Sequence, residues 1–247
     1  MSRVRERMVI IAAPGAGKST ALWSIARALP KSTMYLIDTE DKHLGLAEVN
    51  GGFLPNMKHF VVTDWASFHK AYRSFRDTAK PGDIIASDNA GDPWHWRIED
   101  FQIEKVLSTP AGKGKNIDDL RLTEGITDND WGDIKRPWNS TIPYTMLRQP
   151  GINLVLVARA KAFVRIENKK TGVETIKGHG SEMQELVSLD ASPDIYSSAI
   201  GDASTVIYLK REGKLYRMQV LKRPGWTGVD DKINITEDSG MFSYLGE

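Results

Sequence analysis

Short apolar runs alternate with stretches of helical periodicity through the first 160 residues. Met8 to Ala12 is an unbroken apolar run of strand length, the pattern of a strand buried on both faces. A tight Pro14-Gly15-Ala16-Gly17 turn follows. From Lys18 onward, Leu22, Ile25, Ala26 and Leu29 recur on one helical face. Met34 to Ile37 reads as a second strand and His59 to Val62 as a third. Asp64-Trp65-Ala66-Ser67 opens a helix carrying Phe68, Ala71, Tyr72 and Phe75. After the Pro81-Gly82 turn, Ile84 to Ser87 is an apolar strand ending in Asp88. Pro93 to Val106 is an aromatic-rich helix, Thr109 to Asn116 a loop, and Asp118 to Asp133 an acidic stretch. Trp131 to Leu147 is helical in pattern, with Pro137 and Pro143 expected to break or kink it. Asn153 to Ala158 is a further buried strand. Ala162 to Lys177 alternates around Asn168–Gly172 as a β-hairpin. Thr205 to Lys210 and Leu215 to Leu221 are late strands joined at Arg211–Gly213.

Strands alternating with helices predict an α/β fold: a mostly parallel central sheet flanked by helices, with antiparallel strands added at the C-terminal end. No internal repeat or low-complexity linker interrupts the pattern. The 247 residues are therefore read as a single domain, with a core over about 8–223 and an irregular tail over 224–247. Composition changes this picture little. With 40% apolar and 26% charged residues the chain is globular in type, and a net charge of +1 gives no overall basicity toward nucleic acid. Without cysteine there are no disulfides, no thiolate catalysis and no Cys-based metal sites. Arg3, Arg5 and Arg7 precede an apolar run too short for a signal sequence, and no run reaches membrane-span length. A cytoplasmic protein is expected.

Strand, Gly-rich turn, Lys-Ser and helix form the context that a phosphate-binding loop requires. Gly15 and Gly17 let backbone N–H groups turn inward around an anion, and the helix N-terminus adds partial positive charge. Pro14, Gly15, Ala16, Gly17, Lys18, Ser19 and Thr20 are the predicted nucleotide-binding residues. Lys18 reaches for the β- and γ-phosphates, and the Ser19 hydroxyl for Mg²⁺. The pattern G-x-x-x-x-G-K-[ST] has Ala12 in place of its first glycine, where a small residue suffices for the strand to turn. Asp88, at its strand end, reads either as a second contact to Mg²⁺ beside Ser19 or as a helix cap. Glu40, two residues past the second strand, reads either as the group that polarises an attacking water or as a solvated loop charge.

These segments carry a resemblance. Ile37-Asp38-Thr39-Glu40 resembles the strand of RecA-type recombinases that bears the catalytic glutamate. Ile84-Ile85-Ala86-Ser87-Asp88-Asn89 is similar to their Walker B strand. Asn153 to Lys161 resembles the sensor strand that leads into a DNA-binding loop, with Arg159 where a polar sensor, often Gln or His, is usual. Asp130-Trp131-Gly132-Asp133-Ile134-Lys135-Arg136 is similar to a segment of phage-encoded RecA-like ATPases. The resemblance spans about Met8 to Arg223. It implies a RecA-like P-loop NTPase that hydrolyses ATP with Mg²⁺, with Glu40 as general base and Lys18 stabilising charge. Lys222 and Arg223 would reach a neighbouring subunit's γ-phosphate. It implies a homo-oligomeric ring or filament acting on single-stranded DNA in recombination or annealing, with a single-strand-binding protein as a further partner and no membrane. A DNA-packaging or remodelling motor, a P-loop small-molecule kinase and a non-hydrolysing scaffold are the other readings.

Local charge supports a nucleic-acid partner. Between Arg159 and Lys177 six basic residues (Arg159, Lys161, Arg165, Lys169, Lys170, Lys177) face only Glu167 and Glu174. A basic hairpin can track phosphates, although hairpin tips are often Lys-rich for solubility alone. Lys113 and Lys115 occupy the other loop. Phe163 reads as a core residue. Trp94, Trp96, Trp131 and Trp138 invite a stacking reading, but residues two apart on a helix cannot share a face, so one of the first pair must pack inward.

Overall fold

The structure, a computed structural model, describes residues 6–110, 114–121, 123–142, 151–163, 165–167, 174–176, 184–196, 198–213, 215–223 and 233–234. Its centre is a sheet in the order β11-β10-β9-β1-β5-β4-β2-β3. The strands are β1 Arg7–Ala12, β2 Met34–Asp38, β3 Met57–Val61, β4 Ile84–Asp88, β5 Asn153–Lys161, β9 Thr205–Glu212, β10 Leu215–Lys222 and β11 Ile233–Asn234. From β9 across to β3 every pairing is parallel; β10 and β11 add antiparallel at the far edge. The expected α/β fold, with its antiparallel C-terminal extension, is the observed one.

The apolar runs are continuous because both faces of the sheet are covered. Successive residues alternate between two cores. Val9, Ile11, Ile37, Ile85, Leu154 and Leu156 face one side, and Met8, Ile10, Leu36, Ala86, Val155 and Val157 the other. The second side is closed by α1 (Lys18–Ala28) and α2 (His43–Val49). The first is closed by α3 (Trp65–Thr78), α4 (Gly91–Phe101), α5 (Trp131–Thr141), α6 (Gln184–Ser188) and α7 (Ser198–Asp202). Helix α3 starts where expected: Asp64 accepts from the Ser67 backbone N–H at 2.7 Å in a reciprocal capping box.

Three local expectations need correction. The aromatic-rich helix begins at Gly91, and its last turn, Gln102–Leu107, widens to π-helix. Buried Gln102 there donates to the carbonyls of Arg121 and Glu124, at 3.0 and 2.9 Å. Pro137 does not break α5. It removes the N–H that Asp133's carbonyl would accept, and the Arg97 guanidinium donates to that carbonyl instead, at 3.2 Å. Pro143 lies outside the described residues. The short helix α2 follows Glu40 where no helix is expected from the pattern. The hairpin is present as β6 (Arg165–Glu167) paired antiparallel with β7 (Glu174–Ile176). Phe163 is buried, and the short strand β8 (Ser192–Pro193) pairs with the end of β5. Among the described residues no helix is long and apolar enough to cross a membrane.

Candidate nucleotide site

Parallel strands carry their C-terminal ends to one edge of the sheet, and the site forms there. β1 ends at Ala12, in register with Arg159 of β5 and Leu209 of β9. Ala12 is buried in extended strand, so glycine is not required at that position. The turn beyond it does need glycine: Gly15 and Gly17 have φ of 73° and 90°. Gly17 caps α1 in the left-handed region with no side-chain cap, and the first turn of α1 has no acidic residue. Its N–H groups and positive end are thus left to an outside anion.

Lys18 is 9% exposed, and burial lowers its pKa more than nearby Asp88 raises it; Lys42 and Arg159 lower it further. Three cations thus face one space beside the loop, an arrangement that a polyphosphate would relieve. Ser19 Oγ donates to Asp88 Oδ2 at 2.8 Å. The other Asp88 oxygen, Oδ1, is buried with no hydrogen-bond partner among the described residues. A hydroxyl and a carboxylate with a spare buried oxygen are hard oxygen ligands of the type Mg²⁺ takes. The residues fit that ion, with Ser19 and Asp88 as the groups that would hold it.

Glu40 is positioned by Asp38. Asp38 Oδ1 accepts from the Glu40 backbone N–H at 3.0 Å, and Oδ2 from the His43 backbone N–H at 3.0 Å; His59 Nε2 lies 2.9 Å from Oδ2. The Glu40 carboxylate is largely buried and ion-paired with both Arg159 and Lys42. Arg159 also lies 3.6 Å from Asp92. Thr39 Oγ1 donates to Asp92 at 2.7 Å and accepts from the Asn89 backbone N–H at 2.9 Å, tying the ends of β2 and β4 together. Burial raises the Asp92 carboxyl more than the Thr39 hydrogen bond lowers it.

The structure therefore gathers Lys18, Ser19, Glu40, Asp88 and Arg159 at one edge. It does not bring Lys222 and Arg223 there. Strand β10 runs antiparallel, so they stand beside Arg7 and Ser204 at the opposite ends of the strands, lining a cavity of about 550 Å³, with Lys222 Nζ donating to the Gly201 carbonyl at 3.1 Å. Within one chain they do not face the turn at Gly15 to Lys18. Of the basic candidates, Lys113, Lys169, Lys170 and Lys177 lie outside the described residues, as does the Arg165 side chain. Lys115 stands 3.9 Å from Glu124, and Lys161 pairs with Asp194 at 2.8 Å. Arg159 and Lys161 are thus partly neutralised. Trp94 is in the core, stacked on Tyr196 at 4.6 Å, and Trp138 is fully buried. Trp131 packs on the cluster's rim, with Lys135 Nζ 5.7 Å from its ring centroid.

Sequence reasoning missed His43. It is fully buried, with Nε2 3.0 Å from Asp88 Oδ2 and Nδ1 accepting from Trp23 Nε1 at 3.1 Å. Its signal was an isolated His opening a short apolar stretch, Leu44 to Ala47, just after Glu40.

The strand order and parallel register make a RecA-like α/β fold. No family model matches the chain, and no curated protein matches it in sequence. Among solved structures the fold is similar to that of RadB recombinase, with a TM-score of 0.51 and 10% identity over 92% of this chain and 85% of that chain. At such identity the likeness concerns the fold. In all, 104 solved chains match, and a fold so widely shared does not select a reaction.

Proposed function

We propose that the protein binds and hydrolyses ATP with Mg²⁺, as a RecA-like ATPase acting on single-stranded DNA in recombination or annealing. The observation that carries the nucleotide reading is the 2.8 Å hydrogen bond from Ser19 to Asp88 beside buried Lys18. It joins the start of the P-loop helix to the carboxylate that ends β4. The name of the similar structure, a recombinase, and the basic segment after β5 support the DNA reading. The phage setting rests on the resemblance of Asp130 to Arg136 alone.

In this reading the loop N–H groups and Lys18 orient the triphosphate. Ser19 and Asp88 would hold Mg²⁺, which would supply neutralisation of the phosphate charge. Glu40 accepts a proton from the attacking water as the new P–O bond forms in line with the β–γ bridge. The bridging P–O bond breaks, leaving ADP and phosphate. The ion pairs to Arg159 and Lys42 anchor the Glu40 carboxylate, and a bound polyphosphate competes for the same cations. Lys222 and Arg223, which do not face their own P-loop, act only across a subunit boundary in a ring or filament.

The test is ATP turnover with and without single-stranded DNA, run beside light scattering for size. DNA-stimulated turnover in an oligomer, lost in Lys18→Ala, is the expected result. Turnover stimulated by a small phosphate acceptor instead would indicate a kinase, and undiminished turnover in Lys18→Ala would remove the P-loop from the chemistry.

A further inference from the structure

We infer that His43 is a positioning residue for the Asp88 carboxylate, with Trp23 fixing its tautomer. The inference rests on the nucleotide reading and extends it to residues that touch neither nucleotide nor metal. An indole N–H can only donate. With Trp23 Nε1 donating to His43 Nδ1 at 3.1 Å, Nδ1 is the acceptor and the ring proton sits on Nε2. Nε2 then donates to Asp88 Oδ2 at 3.0 Å, the same oxygen that receives Ser19 Oγ at 2.8 Å. Two donors converge on Oδ2, and Oδ1 keeps no partner among the described residues.

A carboxylate on a strand end can turn about its last bond and exchange its two oxygens. The paired donors on Oδ2 prevent that exchange and leave Oδ1 for the ion's shell. The ring is itself immobile. It is fully buried, and its own backbone N–H is held by Asp38. The chain of contacts closes on itself, from Trp23 in α1 through His43 in α2 and Asp88 in β4 back to Ser19 in α1. Lys18 opens that same helix, so the phosphate-binding lysine and the metal-side carboxylate share one rigid support.

The experiment measures affinity for a fluorescent ATP analogue in EDTA and across a Mg²⁺ titration, with thermal unfolding of each variant. His43→Leu should bind the analogue normally in EDTA, while the Mg²⁺ concentration for half-maximal response rises about tenfold or more. His43→Gln, whose amide N–H can reach Oδ2, should recover most of the shift. Trp23→Phe should move the midpoint the same way by less. An unshifted midpoint in His43→Leu overturns the inference. So does a shift that His43→Gln fails to relieve and that follows lost thermal stability. If His43→Leu does not fold, an unshifted midpoint in Trp23→Phe overturns it equally. Failure of the unmodified protein to bind the analogue at all overturns the nucleotide reading instead, and this inference with it; normal binding with unshifted Mg²⁺ dependence overturns the role of His43 alone.

Discussion

Glu40 and Asp88 are both buried carboxylates at the same sheet edge, and their partners differ. Asp88 is bound by a hydroxyl and an imidazole, donors suited to orienting a metal-side group. Glu40 is bound by two cations that a polyphosphate would engage. Glu40→Gln should leave nucleotide affinity close to that of the unmodified protein and slow turnover by about 10²–10⁴-fold, read from steady-state rates at saturating ATP. Unchanged turnover would return Glu40 to a purely structural pairing with Arg159. Arg97 shows a different use of a buried charge. It donates to the carbonyl that Pro137 leaves without a partner. Arg97→Met keeps much of the volume but strands that carbonyl, and should destabilise the fold by about 1–3 kcal/mol in urea unfolding without altering nucleotide affinity.

At the scale of elements, Asp194, just past β8, ties the end of that strand to α4 and β5. Asp194 pairs with His95 of α4 at 3.2 Å and with Lys161 of β5 at 2.8 Å, and its backbone N–H donates to the Arg159 carbonyl. Gly91 permits this approach: a Cβ there would lie 2.0 Å from the Asp194 carbonyl oxygen. Burial alone would raise the Asp194 carboxyl, but hydrogen bonding to His95 and Lys161 outweighs it and holds the group down at about 2. The folded value is thus below the unfolded one of about 3.9, so the group stabilises the fold above about pH 4, and that contribution is lost as pH falls toward about 2. Asp194→Asn should therefore be less stable than the unmodified protein at pH 6, with the difference shrinking as unfolding is followed down to about pH 2. A difference independent of pH would mean that the ion pairs contribute nothing.

At the scale of the molecule, net charge is nearly balanced, so attraction to nucleic acid has to be local. Arg159 and Lys161 already face carboxylates, which leaves Arg165 and the remaining lysines of the segment to account for any grip on phosphates. Replacing Lys169 and Lys170 together with Ala should weaken single-stranded DNA binding across all sequences and make the salt slope shallower by about 1–2 units, measured by fluorescence anisotropy. Turnover without DNA should stay near that of the unmodified protein. An unchanged slope and affinity would make these lysines solubilising charges only.

The features legible in the chain alone are those whose physics is local. An apolar run, two glycines at positive φ and Lys-Ser at a helix start specify the tight strand-to-helix turn within a few residues. Alternating strand and helix periods predict the parallel sheet, because both faces must be covered. The helix α2 escaped because its apolar content is short, and α5 looked broken because the donor that replaces Pro137's missing N–H comes from another helix. The rest of the site is a product of register. Ser19 and Asp88 are 69 residues apart, and His43 and Asp88 45 apart; they meet because parallel pairing places strand ends side by side. Which cation pairs with Glu40, which oxygen of Asp88 stays free, and that Lys222 and Arg223 fall at the opposite edge depend on strand order and direction. Those are settled by contacts between segments far apart in sequence, and periodicity within any one segment carries no information about them.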